Sequence, residues 1–280
     1  MSTAQAANRL VPSFSRTAVL RLSVPQRGAA AVLVLLLLFA VAGPWVWPDP
    51  VAQDLSRFLQ PPGLAEPLGR DHLGRSVVSR LAHATRLSLL MALGCVATAA
   101  LVGTLAGVLA AWRGGVVDTV LHGLSEAFVA LPALLVVLVA SAIADGGLWP
   151  LYAGLALAQW VEYFRVVRAR SAVLLSGPAV EAAGLLGLGP VHVLRRHLWP
   201  DLAPLLTTMA TFGLGTSILA LSTLGFVSVG VAPPTPELGQ MVTEAFPFYD
   251  EAPWMSLAPV LVLVTVLLGL LGLRGRERSS

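Results

Sequence analysis

The feature that most constrains this chain is the way its apolar residues are gathered into long runs instead of recurring at core-facing intervals. Six runs, roughly 28–47, 88–112, 117–144, 148–170, 205–230 and 254–273, are long enough to cross a bilayer, which takes about 20 residues of helix. The expected fold is therefore all-α, a polytopic membrane protein with six transmembrane helices. Composition agrees, with 56% of residues hydrophobic and 12% charged. A soluble domain carries roughly 25% charged residues, so the outer surface of this chain must face something other than water.

The charges that remain are unevenly placed. Residues 1–27 carry Arg9, Arg16, Arg21 and Arg27 with no acid, which predicts a cytoplasmic N-terminal segment. Alternating from there, Arg113, then Arg165, Arg168, Arg170, Arg195 and Arg196, and finally Arg274, Arg276 and Arg278 in a tail over 274–280 all fall inside. The outer 231–253 loop holds Glu237, Glu244, Asp250 and Glu251 and no arginine. Residues 48–87 depart from this pattern, with Arg57, Arg70, Arg75, Arg80 and Arg86 on the outer side. Their stretch from Gly74 to Leu87 reads as an amphipathic helix lying at the interface. The basic N-terminus, apolar run and Ala40-Val41-Ala42 also fit a cleavable signal peptide, but the basic stretch is long and the first span is taken as retained.

All 18 basic residues are arginine. A phosphate-binding P-loop needs the lysine of G-x-x-x-x-G-K-[ST], so any ATP must be used by a partner and not by this chain. No cofactor, metal or nucleic acid is expected here: the net charge of +3 is modest, and no Cys/His group has zinc-site spacing. Cys95 reads as a small buried apolar residue, and His192 and His197 as interfacial or partner-contacting. Gly103 and Gly107 form a G-x-x-x-G that permits close helix approach, read as ordinary small-residue packing. Pro132 should break or kink the third span.

Between the fourth and fifth spans lies an arginine-rich stretch too polar to enter a bilayer. It predicts a short helix from Glu181 to Leu186, stopped by glycines, and a second one with Pro190 in its first turn. Two short cytoplasmic helices make a docking surface for another protein. Here Glu181-Ala182-Ala183, Gly187 and His197-Leu198-Trp199-Pro200 resemble the E-A-A signature of permeases of bacterial ABC importers, with His197 and Trp199 at positions that are usually aliphatic. Within that family the chain resembles the second permease subunit of dipeptide, oligopeptide and nickel systems. Leu68-Gly69-Arg70-Asp71-His72-Leu73-Gly74-Arg75-Ser76, with Ser79-Arg80-Leu81 and Thr85-Arg86-Leu87-Ser88-Leu89, is similar to its G-T-D-x-x-G-R-D, S-R-L and A-R-x-S-L block. Pro233-Pro234-Thr235-Pro236-Glu237-Leu238-Gly239 resembles its P-P-T-P-E-W-G. Asp118, Glu126 and Pro132 match the acid–acid–proline spacing of its third span, with Gly123 where an arginine is usual. The family's C-terminal G-D-x-L-R-D is absent.

The resemblance implies a type I importer permease with a five-helix core over 88–273. Residues 177–200 would be its coupling segment, seated in a cleft of a separate ATPase. Glu181, Ala182, Ala183, Gly187, His197 and Pro200 would make that contact, the small residues allowing close backbone approach. Asp118 and Glu126 are candidates for a pathway or gating role, because charge inside a membrane is costly. Pro234, Pro236 and Glu237 would help shape the outer surface that receives a capture protein. Implied partners are a homologous second permease, two ATP-binding cassette subunits, a periplasmic or lipid-anchored substrate-binding protein and membrane lipid. The expected cargo is a di- or oligopeptide, with nickel or a metal chelate as the alternative. An ion-coupled secondary carrier would show inverted repeats and several mid-span ionisable groups, and neither is visible in the sequence.

Overall fold

A computed structural model describes residues 23–143, 147–227 and 229–273. The basic residues Arg9, Arg16 and Arg21 of the N-terminal segment and the tail 274–280 lie outside the described residues. Helix α1 (Val24–Val46) opens on a capping box, in which Gln26 Oε1 accepts from the Ser23 backbone N–H at 2.8 Å. It runs unbroken through Ala40-Val41-Ala42 and packs along the C-terminal helix α10 (Trp254–Leu273). Glycines make that approach possible: a side chain at Gly269 would begin 2.7 Å from Leu33.

Helix α2 (Val77–Arg113) is longer than the expected second span. The stretch expected as an interfacial amphipathic helix forms its first turns instead, with Val77, Val78, Ser79, Arg80, Leu81 and Ala82 all buried. Two of the arginines that give the stretch its amphipathic look, Arg75 and Arg80, point into the protein, where Asp71 and Glu244 meet them, while Arg86 stays exposed. Gly114 and Gly115, with φ of 59° and 51°, occupy the left-handed region that glycine enters without a steric penalty. They turn the chain from α2 into α3 (Gly115–Val129).

The third expected span is broken where proline predicts. After Pro132 the chain resumes as α4 (Ala133–Ile143), and the two pieces are bent by 91°. Helix α5 (Leu148–Leu175) then returns and lies against α2 as the central pair of the fold. Gly103 and Gly107 are the reason the two fit, since a side chain at Gly103 would begin 2.6 Å from the Trp160 carbonyl oxygen. One at Gly107 would begin 2.9 Å from the Arg168 nitrogen. The G-x-x-x-G therefore serves packing within the chain.

Helices α6 (Pro178–Leu185) and α7 (Pro190–Val193) follow, and a π-helical turn over Leu194–Leu198 leads into α8 (Trp199–Phe226). A short α9 (Leu238–Ala245) folds back over the C-terminal end of α8 before α10. Among the described residues four helices are long and apolar enough to cross a membrane, or five if the bent pair counts as one. Helix α5 has the length but not the apolarity, because Gln159, Glu162, Arg165, Arg168 and Arg170 interrupt it. The expected count of six spans thus depends on α5.

Candidate functional site

The short helix expected from Glu181 to Leu186 begins earlier, at Pro178, and the second one expected at Pro190 is only four residues long and runs on through a π-helical turn into α8. Pro178 opens α6 at its first turn, and Gly187, with φ of 71°, ends it. There the Leu188 N–H reaches back to the Ala183 carbonyl at 3.0 Å, closing the helix end. Pro190 opens α7 in the same way. The Trp199 N–H then bonds five residues back to the Leu194 carbonyl, a single widened turn of the kind often found at functional sites.

One side of this segment is anchored. Ala183, Val193, Leu198 and Leu202 pack with Val167 of α5 into one cluster. Ala183 is only 3% exposed, so it cannot offer its small surface to a partner as the signature suggested; its size serves the fit of α6 onto the bundle. Glu181, Ala182, Gly187 and Pro200 are exposed, and His197 is partly so. A side chain on Gly187 would meet nothing within 4 Å, so glycine is there for its backbone angle. The outer side carries apolar groups in the open: Leu185 is 86% exposed, Leu186 76% and Val191 63%. Arg195, Arg196 and His192 border one recess with Val191. Open apolar side chains with arginines on the same segment have the composition of a protein contact.

Asp118, a candidate for a pathway or gating role, is held by α5. Both of its carboxylate oxygens accept from Arg168, an ion pair that ties α3 to α5 in a bidentate fork. Glu126 lies 3.3 Å from Arg165, with both side chains about half exposed. It is a loose surface pair and not a buried contact between helices. With Glu162, Arg165 also borders a shallow recess beside Pro132.

In the loop between α8 and α9, Pro234 is exposed and helps line a groove of about 470 Å³ with Arg86, His83 and Pro50. Glu237 has no such role: it is 0% exposed. Its carboxylate caps α9, accepting from the Gln240 N–H at 2.9 Å and from Ser222 Oγ at 3.2 Å. Burial pushes this carboxyl above the usual range despite those hydrogen bonds. Pro236 is buried beside it. The Pro-Glu pair expected at a docking surface instead fastens the loop to α8.

The sequence motif at 68–81 holds a cluster of three buried charges. Asp71 Oδ2 accepts from Arg75 Nε and from Arg80 Nη1, both at 2.7 Å. Its Oδ1 accepts from the backbone N–H groups of Leu73 and Arg75, both at 2.9 Å. Glu244 of α9 closes the set, 2.8 Å from each arginine. Burial works to raise the Asp71 carboxyl, but Arg80, Arg75 and the two N–H groups outweigh it and hold the carboxyl below its ordinary range. A regular Asp-x3-Arg-x4-Arg spacing was visible in the sequence; the acid that completes it lies 164 to 173 positions along the chain, where no local pattern points.

Residues 103–275 match a family model described as the inner membrane component of binding-protein-dependent transport systems. The dipeptide transport system permease protein DppC of Haemophilus influenzae is 33% identical, covering 87% of this chain and 86% of that protein. The di/tripeptide permease DppC of Pseudomonas aeruginosa is 34% identical over 86% and 82%. The nickel transport permease NikC of Escherichia coli is 33% identical over 85% and 86%. In fold, the chain is similar to one from the inward-facing MetNI methionine ABC transporter, with a TM-score of 0.54 and 22% identity, covering 69% of this chain and 92% of that one.

Proposed function

The chain belongs to the inner membrane components of binding-protein-dependent transport systems, and from that premise we propose how it works. It is a multi-pass inner-membrane protein and a permease subunit of an ABC importer. Our reading is that its cargo is a di- or oligopeptide, and that it forms half of a pathway whose other half is a second permease. Helix α5 crosses the membrane with the more apolar helices, making six spans with both termini cytoplasmic. ATP and Mg²⁺ are used by two partner ATPases, and a periplasmic or lipid-anchored protein delivers the cargo to the outer face near Pro234.

The observation that carries this reading is the exposed segment from α6 to the start of α8. It is anchored to α5 and α8 through one buried cluster, so a push on α6 is transmitted to two long helices as a rigid body. Glu181, Ala182 and the open leucines would sit in the ATPase cleft, with Gly187 setting the angle between the two short helices and His197 and Pro200 completing the seat. Glu126 would border the pathway, while Asp118 braces α3 against α5. Two of the peptide-permease relatives favour a peptide cargo; nickel is the second reading, favoured by the NikC relative.

Uptake of a radiolabelled dipeptide into membrane vesicles tests the proposal. Uptake is expected to require ATP and to be abolished by Glu181→Lys and by Gly187→Trp, with both variants still inserted in the membrane. Normal uptake by both would end the docking idea, and uptake driven by an ion gradient without ATP would end the importer reading.

A further inference from the structure

Helix α2 carries no charged residue between Arg86 and Arg113, 27 positions apart. At about 1.5 Å per residue that is about 40 Å of helix. A bilayer is about 40–45 Å thick with its headgroups, and its hydrocarbon alone is about 30 Å. A span that seats this uncharged run in hydrocarbon therefore leaves Arg86 at headgroup depth. From Arg86 the exposed positions Leu90, Leu93, Ala97 and Leu101 follow at steps of four, three, four and four, so they share one face of the helix. That aliphatic face runs about 22 Å, more than the depth of one leaflet's hydrocarbon, about 15 Å. It begins at an arginine.

Arg86 meets no acid among the described residues. It borders the groove of about 470 Å³ already described, which Leu87 and Leu90 line from α2 and Pro234 and Thr235 from the loop before α9. No carboxylate is among the residues that line this groove. His83, one turn before Arg86, spends its Nδ1 on the Ser79 carbonyl at 2.9 Å, so the guanidinium is the standing charge. Five N–H donors in a planar fork match the oxygens of a phosphate. A free phosphate would leave Leu87 and the leucine face below it bare, and an acidic side chain of another protein would have to reach down to headgroup depth. The anion that brings its own hydrocarbon, and is already at that depth, is a phospholipid.

We propose that this groove is a binding site for an anionic phospholipid of the leaflet nearer α9, with its phosphate on Arg86 and one acyl chain along Leu90, Leu93, Ala97 and Leu101. The headgroup is selected by what the groove lacks. The ammonium of phosphatidylethanolamine finds no carboxylate there and lies close to a cation, whereas the glycerol of phosphatidylglycerol adds no charge and can use the Thr235 hydroxyl. The lipid neutralises Arg86 and joins α2 to the loop before α9.

Photocrosslinking in native membranes tests this directly. The full chain would carry p-benzoylphenylalanine in place of Leu90 or, as a reference deeper in the hydrocarbon, in place of Leu101, and the adducts would be identified by mass spectrometry of the purified chain. At position 90 the expected adducts are phospholipids, with phosphatidylglycerol enriched about fivefold over its share of the membrane, as one uncompensated unit charge about 4 Å away in water requires. Arg86→Gln should return the adducts to the membrane's own composition, and Arg86→Lys should keep most of the enrichment. At position 101 the adducts should follow the bulk lipid in all three backgrounds, which also reports that each variant is inserted. Adducts to a protein at position 90, whether a capture protein or a second permease, would overturn the proposal. So would lipid adducts at position 90 with no enrichment in the unmodified Arg86 background, or with an enrichment that survives Arg86→Gln. Crosslinking needs neither cargo nor ATP, so it can succeed or fail independently of the uptake experiment.

Discussion

At the scale of single residues, the most consequential group described is Asp71. It is 1% exposed and serves two arginines that are themselves 3% and 2% exposed. Removing one partner of a buried ion pair leaves an uncompensated charge, which costs about 3–5 kcal/mol. Asp71→Ala is therefore expected to lower the melting temperature of the purified protein far more than Glu126→Ala, whose pair is half solvated. The pH dependence follows from the direction of the shift. Because the folded carboxyl of Asp71 is held below its ordinary value, its stabilising contribution is present at neutral pH and is lost as pH falls through that depressed value. Glu237 works with the opposite sign: burial raises it, so its ionisation is penalised and its contribution improves as pH falls. A melting series from neutral to acidic pH should show the Asp71→Ala variant losing less stability than the unmodified chain.

At the scale of elements, the α2–α5 pair carries the architecture. Its closeness depends on two glycines whose missing side chains are replaced by backbone atoms of the neighbouring helix, which cannot rotate away. Gly103→Leu is expected to be worse than an ordinary overpacked core, which costs about 1–3 kcal/mol. The measurement is the monodisperse fraction after detergent extraction, which should collapse for Gly103→Leu and hold for Gly123→Leu, where a side chain would meet nothing within 4 Å. Helix α6 shows the complementary case: Ala183 is small because it is buried, whereas Gly187 is glycine because of its φ of 71°.

At the scale of the whole molecule, the chain presents three chemically distinct surfaces. Aliphatic faces on α1, α2 and α10 suit lipid, a mixed apolar and basic surface on α6 to α8 suits a protein, and the loop before α2 is clamped to α9 by buried charge. Replacing residues 177–200 with a Gly/Ser linker of equal length is expected to abolish co-purification of an ATPase while the chain still inserts. Retained co-purification would move the energy input elsewhere.

The sequence by itself determined that this chain lives in a membrane, that its long elements are helices, that Pro132 interrupts one of them, and that a short helix ends near Leu186 with another beginning at Pro190. These properties follow from local quantities: hydropathy summed over a run, a ring that removes an N–H, a glycine that accepts a positive φ. Tertiary structure alone decided that Arg168 belongs to Asp118, that Glu244 completes the Asp71 set, that Glu237 is a buried cap and that Ala183 is core. Each of these depends on which distant segment arrives beside the residue, and a charge reads the same in sequence whether a partner or water awaits it. The long apolar runs carry the same division: their lengths place them in lipid, but only packing settles which face of each meets another helix.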